Sequence, residues 1–230
     1  MSVDLHRWRR DESRPSAGEA WRDAAARVLG PSVALFAVIV GVGWLIMGPF
    51  GGLQDEIAVN EELQEGRSFT PFWNVTTDIW SRLGNTEIII GTCAVISLII
   101  LWRTRQWWYA VIPAIAISIQ ATVFVIAAWI VGRERPDVEK LDPAPPTSSY
   151  PSGHVGASTA LYLTFALMAQ RIERRWLRRL VTAVCILVPV LVSYARLYRG
   201  MHHLTDVLLG VVNGVVCALL AWHWLRRRRS

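Results

Sequence analysis

Six stretches of the chain are apolar and nearly free of charge: about Pro31–Phe50, Ile88–Trp102, Trp107–Val131, Val155–Ala169, Leu180–Leu197 and Val207–Trp224. A helix needs on the order of 20 mostly apolar residues to cross a bilayer, so the second and fourth stretches reach that length only with uncharged flanks. The pattern predicts an all-α fold, a polytopic bundle of six transmembrane helices. The longest polar connection, Gly51 to about Thr86, is not uniform: Thr70-Pro71 has the form of a helix start, and Phe72, Trp73, Val75, Ile79 and Trp80 then recur at helical spacing. One or two short helices lying at the membrane surface are expected there. The segment from Met1 to about Gly30 is polar and charged, without the apolar centre of a signal peptide. Within it, Ala17–Leu29 sets Trp21, Ala25 and Val28 on one side, which predicts a short amphipathic helix on the cytoplasmic surface. The expected division is a cytoplasmic N-terminal segment over 1–29, a six-helix membrane domain over 30–225 and a basic cytoplasmic tail over 226–230.

Composition supports this reading. Of 230 residues, 53% are hydrophobic and twelve are tryptophan. Trp102, Trp107, Trp108, Trp176 and Trp224 fall at span ends, where an interfacial aromatic belt is expected. The net charge of +6 is not a nucleic-acid footprint, because its arginines follow the spans: Arg7, Arg9 and Arg10, then Arg103 and Arg105, then Arg171–Arg179, then Arg226–Arg229. If the spans alternate, these four groups share one side, and the acidic segment with Asp55, Glu56, Glu61, Glu62 and Glu65 takes the other. The positive-inside rule then puts both termini in the cytoplasm. Cys93, Cys185 and Cys217 all lie within spans and suggest packing rather than disulfides. Nothing in the sequence speaks to oligomeric state.

The candidate chemistry lies in the connections. Val131-Gly132-Arg133-Glu134-Arg135-Pro136 closes the third span, and Pro143, Pro145 and Pro146 impose an extended path. Ser152-Gly153 opens the fourth span beside His154, and a helix N-terminus there presents amides suited to phosphate. Arg196, His202 and Asp206 flank the fifth-to-sixth connection. Two spans separate these connections, so both face the same, extracytoplasmic side, and the residues gather there. His202 and Asp206 are four apart; on a helix they share a face, and the carboxylate can hold the imidazole. An acidic residue at a span entrance is costly without a partner, which makes Asp206 the most telling of the set. His203 turns about 100° from His202 on a helix and is read as a bystander. Arg67, Arg82 and Arg199 fit headgroup contacts, and His6 and His223 fit ordinary interfacial positions. A histidine and aspartate four apart can also ligate zinc, but the neighbouring arginines repel a dication and attract an anion, so no metal and no cofactor are expected.

Arg135-Pro136, Pro151-Ser152-Gly153-His154 and Arg196-x5-His202-x3-Asp206 resemble the three motifs of the type-2 phosphatidic acid phosphatase superfamily, Lys-x6-Arg-Pro, Pro-Ser-Gly-His and Ser-Arg-x5-His-x3-Asp. The resemblance covers approximately Gly51 to Trp224 and implies a six-helix core with its active site at the membrane face. It implies that His202 attacks phosphorus to form a phosphohistidine, that Asp206 fixes its tautomer, and that His154 protonates the leaving oxygen and later activates water. Arg135, Arg196, Ser152 and the Gly153 amide would hold the phosphoryl oxygens. The lysine expected seven residues before Arg135 is Ala128, and the serine expected before Arg196 is Ala195. Arg133 is expected to replace the lysine in the phosphate shell. The implied substrate is a lipid phosphate or diphosphate, with phosphatidic acid, phosphatidylglycerol phosphate and polyprenyl diphosphate as candidates, drawn from the bilayer; nucleic acid is not a partner. The two alanines leave a second reading, a catalytically weak protein that binds or translocates phospholipid headgroups. Vanadate-dependent peroxidation is a remote third. The loop Glu139–Tyr150 is a candidate gate.

Overall fold

The computed structural model describes residues 7, 8, 11, 13–65, 71–144 and 146–226. His6, Arg9, Arg10, Arg67, Thr70, Pro145 and the arginines at 227–229 lie outside the described residues. Every regular element described is a helix: α1 (Ala17–Ala24), α2 (Gly30–Met47), α3 (Ile57–Glu65), α4 (Pro71–Arg82), α5 (Thr86–Thr104), α6 (Trp107–Ala110), α7 (Ile112–Val131), α8 (Gly153–Ala169), α9 (Arg175–Tyr198) and α10 (Leu204–Trp222), with a π-helical turn at Ala25–Leu29 and a 3-10 turn at Gln54–Glu56.

Five helical stretches are long and apolar enough to cross a membrane: Ala17–Met47, Thr86–Thr104, Trp107–Val131, Arg175–Tyr198 and Leu204–Trp222. The sixth expected span is α8, whose 17 residues reach only about 25 Å at 1.5 Å per residue. It compensates by position. Helix α8 stands at the centre of the bundle against α7, α9 and α10, with α5 alongside, and the outer helices turn Val95, Leu98, Trp129, Leu187 and Val190 outward as a lipid-facing belt. Small residues set the spacing at its core contact. A Cβ on Gly210 would come within 2.8 Å of the Ser152 carbonyl, and one on Gly214 within 2.5 Å of the Thr159 side chain. Helices α8 and α10 therefore pack almost backbone to backbone, which brings the Ser152 end of one to the Asp206 end of the other.

The N-terminal region departs from expectation. Residues 17–29 do not form a separate surface helix: α1 continues through the π-helical turn into α2. Pro31 cannot donate to the Arg27 carbonyl, and a wide turn just before it absorbs the missing bond. Trp8 is 1% exposed, lies 5.8 Å from the Tyr109 ring and donates its indole N–H to the Trp222 carbonyl at 3.1 Å. Trp108 and Trp224 are also buried, the second donating to the carbonyl of the first. These side chains close one end of the bundle instead of forming a belt, whereas Trp102 and Trp176 are exposed as expected. Arg171 stacks over Tyr109 at the same end, 4.5 Å from the ring centroid. The three cysteines are buried and free.

At the opposite end, α3 and α4 lie against α9. Asn60 of α3 is fully buried and donates to the carbonyls of Leu197 and His202 at 2.9 and 3.1 Å. Helix α4 is amphipathic: Phe72, Val75 and Ile79 are exposed, and Trp73 and Trp80 pack around Tyr194. The long connection thus carries two helices, as its periodicity predicts.

Candidate active site

Arg135, His154, Arg196 and His202 line one cavity of about 640 Å³, together with Gly153, Thr147 and Ser148. Its remaining wall is mainly apolar, formed by Ile89 and Ile90 of α5 and Ile117, Ala121, Phe124 and Val125 of α7. Ile90 and Val125 are more than half exposed, so the cavity opens sideways between α5 and α7 onto the lipid-facing belt. One end of the chamber is cationic and the other is a hydrocarbon slot.

His202 is not helical. Helix α9 ends at Tyr198, the chain turns at Gly200 with φ +67°, and α10 begins only at Leu204. Glycine is required at that turn, both for the positive φ and because a Cβ would sit 2.4 Å from the Glu139 carbonyl. Helical spacing between His202 and Asp206 therefore does not apply. His202 Nδ1 lies 2.7 Å from the Ser149 carbonyl and 3.9 Å from the nearer Asp206 oxygen. A carbonyl can only accept, so Nδ1 carries the hydrogen and the neutral ring keeps its lone pair on Nε2. Burial first, then the positive charges of Arg196 and Arg135, holds this imidazole well below the ordinary histidine value of 6.5. Asp206 opposes that shift without reversing it.

A histidine whose folded value is lowered binds its proton more readily unfolded. Its contribution to stability is therefore complete above about 6.5 and drains away as pH falls below that value. Nitrogen NMR of selectively labelled protein should find the His202 ring neutral, with Nδ1 protonated, as pH passes down through 6.5; a ring that charges near 6.5 contradicts this assignment.

Asp206 is fully buried and has nearer partners than His202. Its Oδ2 accepts from the backbone N–H of His203 at 2.9 Å and from the Ser149 hydroxyl, and lies 3.2 Å from His203 Nδ1. Its Oδ1 accepts from Arg133 at 2.7 Å. The carboxylate caps α10 through the residue first read as a bystander; it stands 3.9 Å from His202 Nδ1 and makes its hydrogen-bonded link to that ring through Ser149, which gives its hydroxyl to Asp206 and its carbonyl to His202.

Arg133 is likewise corrected. It is 3% exposed and does not line the cavity. One terminal nitrogen donates to Asp206 and to Thr205 Oγ1, both at 2.7 Å; the other donates to the Gly52 carbonyl at 2.6 Å and to Glu56 at 3.3 Å. These contacts tie the α2–α3 connection to the start of α10. Arginine is five-pronged and fixed in charge, which suits it to bridging two carboxylates. The chain carries Ala128, buried on α7, at the lysine position, and Arg133 does not fill that role. Ala195 is buried and apolar on α9.

The two arginines that do line the cavity keep donors in reserve. Arg135 donates to the Met201 carbonyl at 2.7 Å, and burial draws its guanidinium somewhat below the ordinary arginine value, with Asp206 opposing. Arg196 donates from one terminal nitrogen to Ser81 Oγ and Asp142, both at 2.9 Å. The Nε of each, and the Ser152 hydroxyl, are buried without a hydrogen-bond partner. Two of these, on Arg135 and Arg196, belong to residues that line the cavity, and the third sits just before Gly153 at its wall; unpaired buried donors of this kind are costly and suit a tetrahedral oxyanion. Gly153 begins α8 at the same place. His154 Nε2 stands 3.0 Å from Asn85 Oδ1, at the N-terminus of α5.

Sequence reasoning missed Asn85, Ser81, Ser149 and Asp142. Each meets its partner across more than 50 residues, and no local spacing announces that. Arg199, expected at the headgroups, is 6% exposed and clamps Asp142 from Nε at 2.8 Å and Nη2 at 2.6 Å. Burial alone raises the Asp142 carboxyl; hydrogen bonds from Arg199 and Ser81 and the charges of Arg196 and Arg199 outweigh it and hold the group below 3.8. Its contribution is therefore present above that value and lost as pH falls through the lowered one. Asp142→Asn should cost about 2 kcal/mol at neutral pH. Thermal melts in detergent check this, with wild type and variant converging only below pH 3.8; equal melting at pH 7 refutes the clamp.

A family model described as the PAP2 superfamily matches residues 106–230. Among solved structures, the chain is similar to the first transmembrane PAP2-type phosphatidylglycerolphosphate phosphatase from Bacillus subtilis, at 20% identity and a TM-score of 0.71, over 83% of this chain and 93% of that one. It is also similar to Aquifex aeolicus LpxE, at 20% identity and a TM-score of 0.55, over 71% of this chain and 92% of that one. At such identities the likeness is one of fold. No curated protein matches the sequence.

Proposed function

The chain belongs to the PAP2 superfamily, and on that premise we propose that it is a metal-independent phosphatase of lipid phosphates or diphosphates that works through a phosphohistidine. One observation carries the reading. His202 commits Nδ1–H to the Ser149 carbonyl, which leaves a neutral Nε2 lone pair on a ring lining the same cavity as two arginines with unspent donors. That is a nucleophile beside an oxyanion cradle.

In the proposed reaction Nε2 attacks phosphorus while the bond from phosphorus to the leaving oxygen breaks. His154, charged as the phosphate's negative charge enters beside it, gives its proton to that oxygen, so the alcohol, or the phosphate of a diphosphate, departs neutralised. Water then attacks the phosphohistidine, His154 takes a proton from it, and inorganic phosphate leaves as the His202 lone pair is restored. Arg135, Arg196, Ser152 and the Gly153 amide hold the equatorial oxygens, where charge spreads in a loose transition state. Asp206 is a positioning residue that acts on His202 through Ser149.

The slot between α5 and α7 supports a lipid substrate, since a hydrocarbon chain can stay in the bilayer while its headgroup reaches the arginines. The arginine-rich connections lie at the opposite end of the bundle, which supports an extracytoplasmic site and cytoplasmic termini. The test is phosphate release from a panel of lipid phosphates and diphosphates by purified protein in chelator, with acid-labile phosphate trapped on histidine by rapid quench. Release with a trapped phosphohistidine is the expected result. Lipid binding without release would favour the headgroup-binding alternative, and loss of activity in chelator would overturn metal independence.

A further inference from the structure

One buried polar group in the cavity is unused by the chemistry above. Gln120, on α7, is 2% exposed, lines the mainly apolar part of the chamber, and its Nε2 has no hydrogen-bond partner. Its neighbours along that wall are Ile117, Ala121 and Phe124. An unpaired amide donor in such a place costs about 1–3 kcal/mol, and a leucine would fill the space without that cost.

The fold makes room for this group. A Cβ on Gly156 of α8 would lie 2.4 Å from Gln120 Nε2 and 3.2 Å from its Cδ, so the absence of a side chain at 156 is what admits the amide. One turn further along α7, Phe124 covers Gly153, where a Cβ would come within 2.7 Å of the ring. Gly153 marks the oxyanion level, beside the Ser152 hydroxyl and His154. Gly156 lies three residues further into α8, about 4.5 Å deeper. The cavity therefore offers donors at two depths: a cationic set for phosphate, then the buried amide of Gln120 one step down the slot.

We propose that Gln120 is a specificity-determining residue that donates its amide hydrogen to the ester carbonyl of an acylated glycerol phosphate. This rests on the lipid phosphatase reading and narrows it. In such a lipid the acyl carbonyl oxygen is six bonds from phosphorus, on the order of 5–7 Å when extended, which suits the step between the two levels. An ether-linked glycerol phosphate has no carbonyl at that depth. A prenyl phosphate has only hydrocarbon there. Both leave Gln120 unpaired, and a site built to hydrogen-bond a group discriminates against analogues that lack it.

The experiment compares kcat/KM for a diacylglycerol phosphate, its dialkyl ether counterpart of the same chain length and a polyprenyl monophosphate. It uses full-length wild type and Gln120→Leu in mixed micelles. Wild type should prefer ester to ether about 10-fold, the value of one good hydrogen bond. In Gln120→Leu the ratio should fall to near one, because the ester substrate loses the larger share of its rate, and the prenyl substrate should gain relative to the ester. The wild-type ratio needs no variant and decides the matter if the leucine protein does not fold. Release with equal ester and ether rates in wild type overturns the role of Gln120 and leaves the phosphatase reading intact. Equal losses on both substrates in Gln120→Leu also overturn it, marking the residue as structural. Failure to release phosphate from any lipid sinks the parent reading and this inference with it.

Discussion

His202→Ala should reduce lipid-phosphate turnover by at least ~10^4-fold, to the level set by binding alone. The size follows from the residue's place. It is 3% exposed and, of the two histidines lining the cavity, is the one whose tautomer is fixed by a backbone acceptor. Neither arginine can supply a lone pair, and His154 engages Asn85 through Nε2. Two further results separate loss of the nucleophile from loss of the fold. The alanine leaves an imidazole-sized space beside the cavity, so added imidazole should restore part of the turnover by accepting the phosphoryl group. His154→Ala should behave differently: the first transfer slows, and any phosphohistidine that forms persists, because no base remains to activate water. A His202→Ala protein that retains wild-type turnover would place the nucleophile elsewhere.

The contrast between the two histidines shows what the sequence could carry. Spans were legible because lipid demands long apolar runs, and even the shortness of the stretch that becomes α8 could be read from its length. That this helix is the most enclosed could not, since its small residues take meaning only when Gly210 and Gly214 are seen against Ser152 and Thr159. The convergence of Arg135, His154, Arg196 and His202 followed from span parity, which is topological and survives errors in helix boundaries. The pairing of His202 with Asp206 is present as a 3.9 Å contact without the expected direct hydrogen bond, because that expectation assumed a helix across 202–206. Gly200 was the available warning: a glycine shortly after an apolar run marks a helix end, and the new helix then needs an N-terminal cap. Asp206 serves as that cap for His203. The role of Arg133 failed for another reason. Proximity in sequence to Arg135 says nothing about side-chain direction, and the contacts of Arg133 with Glu56 and Gly52 span 77 and 81 residues.

Arg133→Ala should accordingly destabilise the protein by about 3–5 kcal/mol while sparing phosphate affinity. The guanidinium is 3% exposed and binds Asp206, itself fully buried, as well as Glu56, at 13% side-chain exposure. Its removal strands two carboxylates where water cannot replace it. The Gly52 carbonyl and Thr205 hydroxyl lose their donor as well. Lysine at 133 should recover only part of the loss, because one ammonium cannot bridge both carboxylates in the guanidinium's geometry. Turnover of the folded fraction should fall moderately, as Asp206 loosens and with it the Ser149 contact that orients His202. The inhibition constant of inorganic phosphate should stay within about twofold of wild type, since Arg133 does not line the cavity. Arg135→Ala and Arg196→Ala should raise that constant about 10-fold or more, since each removes a charge-assisted donor from the cradle. Thermal melts and phosphate inhibition measured on the same preparations separate the two kinds of arginine. A stable Arg133→Ala protein with weakened phosphate binding would return Arg133 to the phosphate shell, and the tie between the α2–α3 connection and α10 would then need another source of strength.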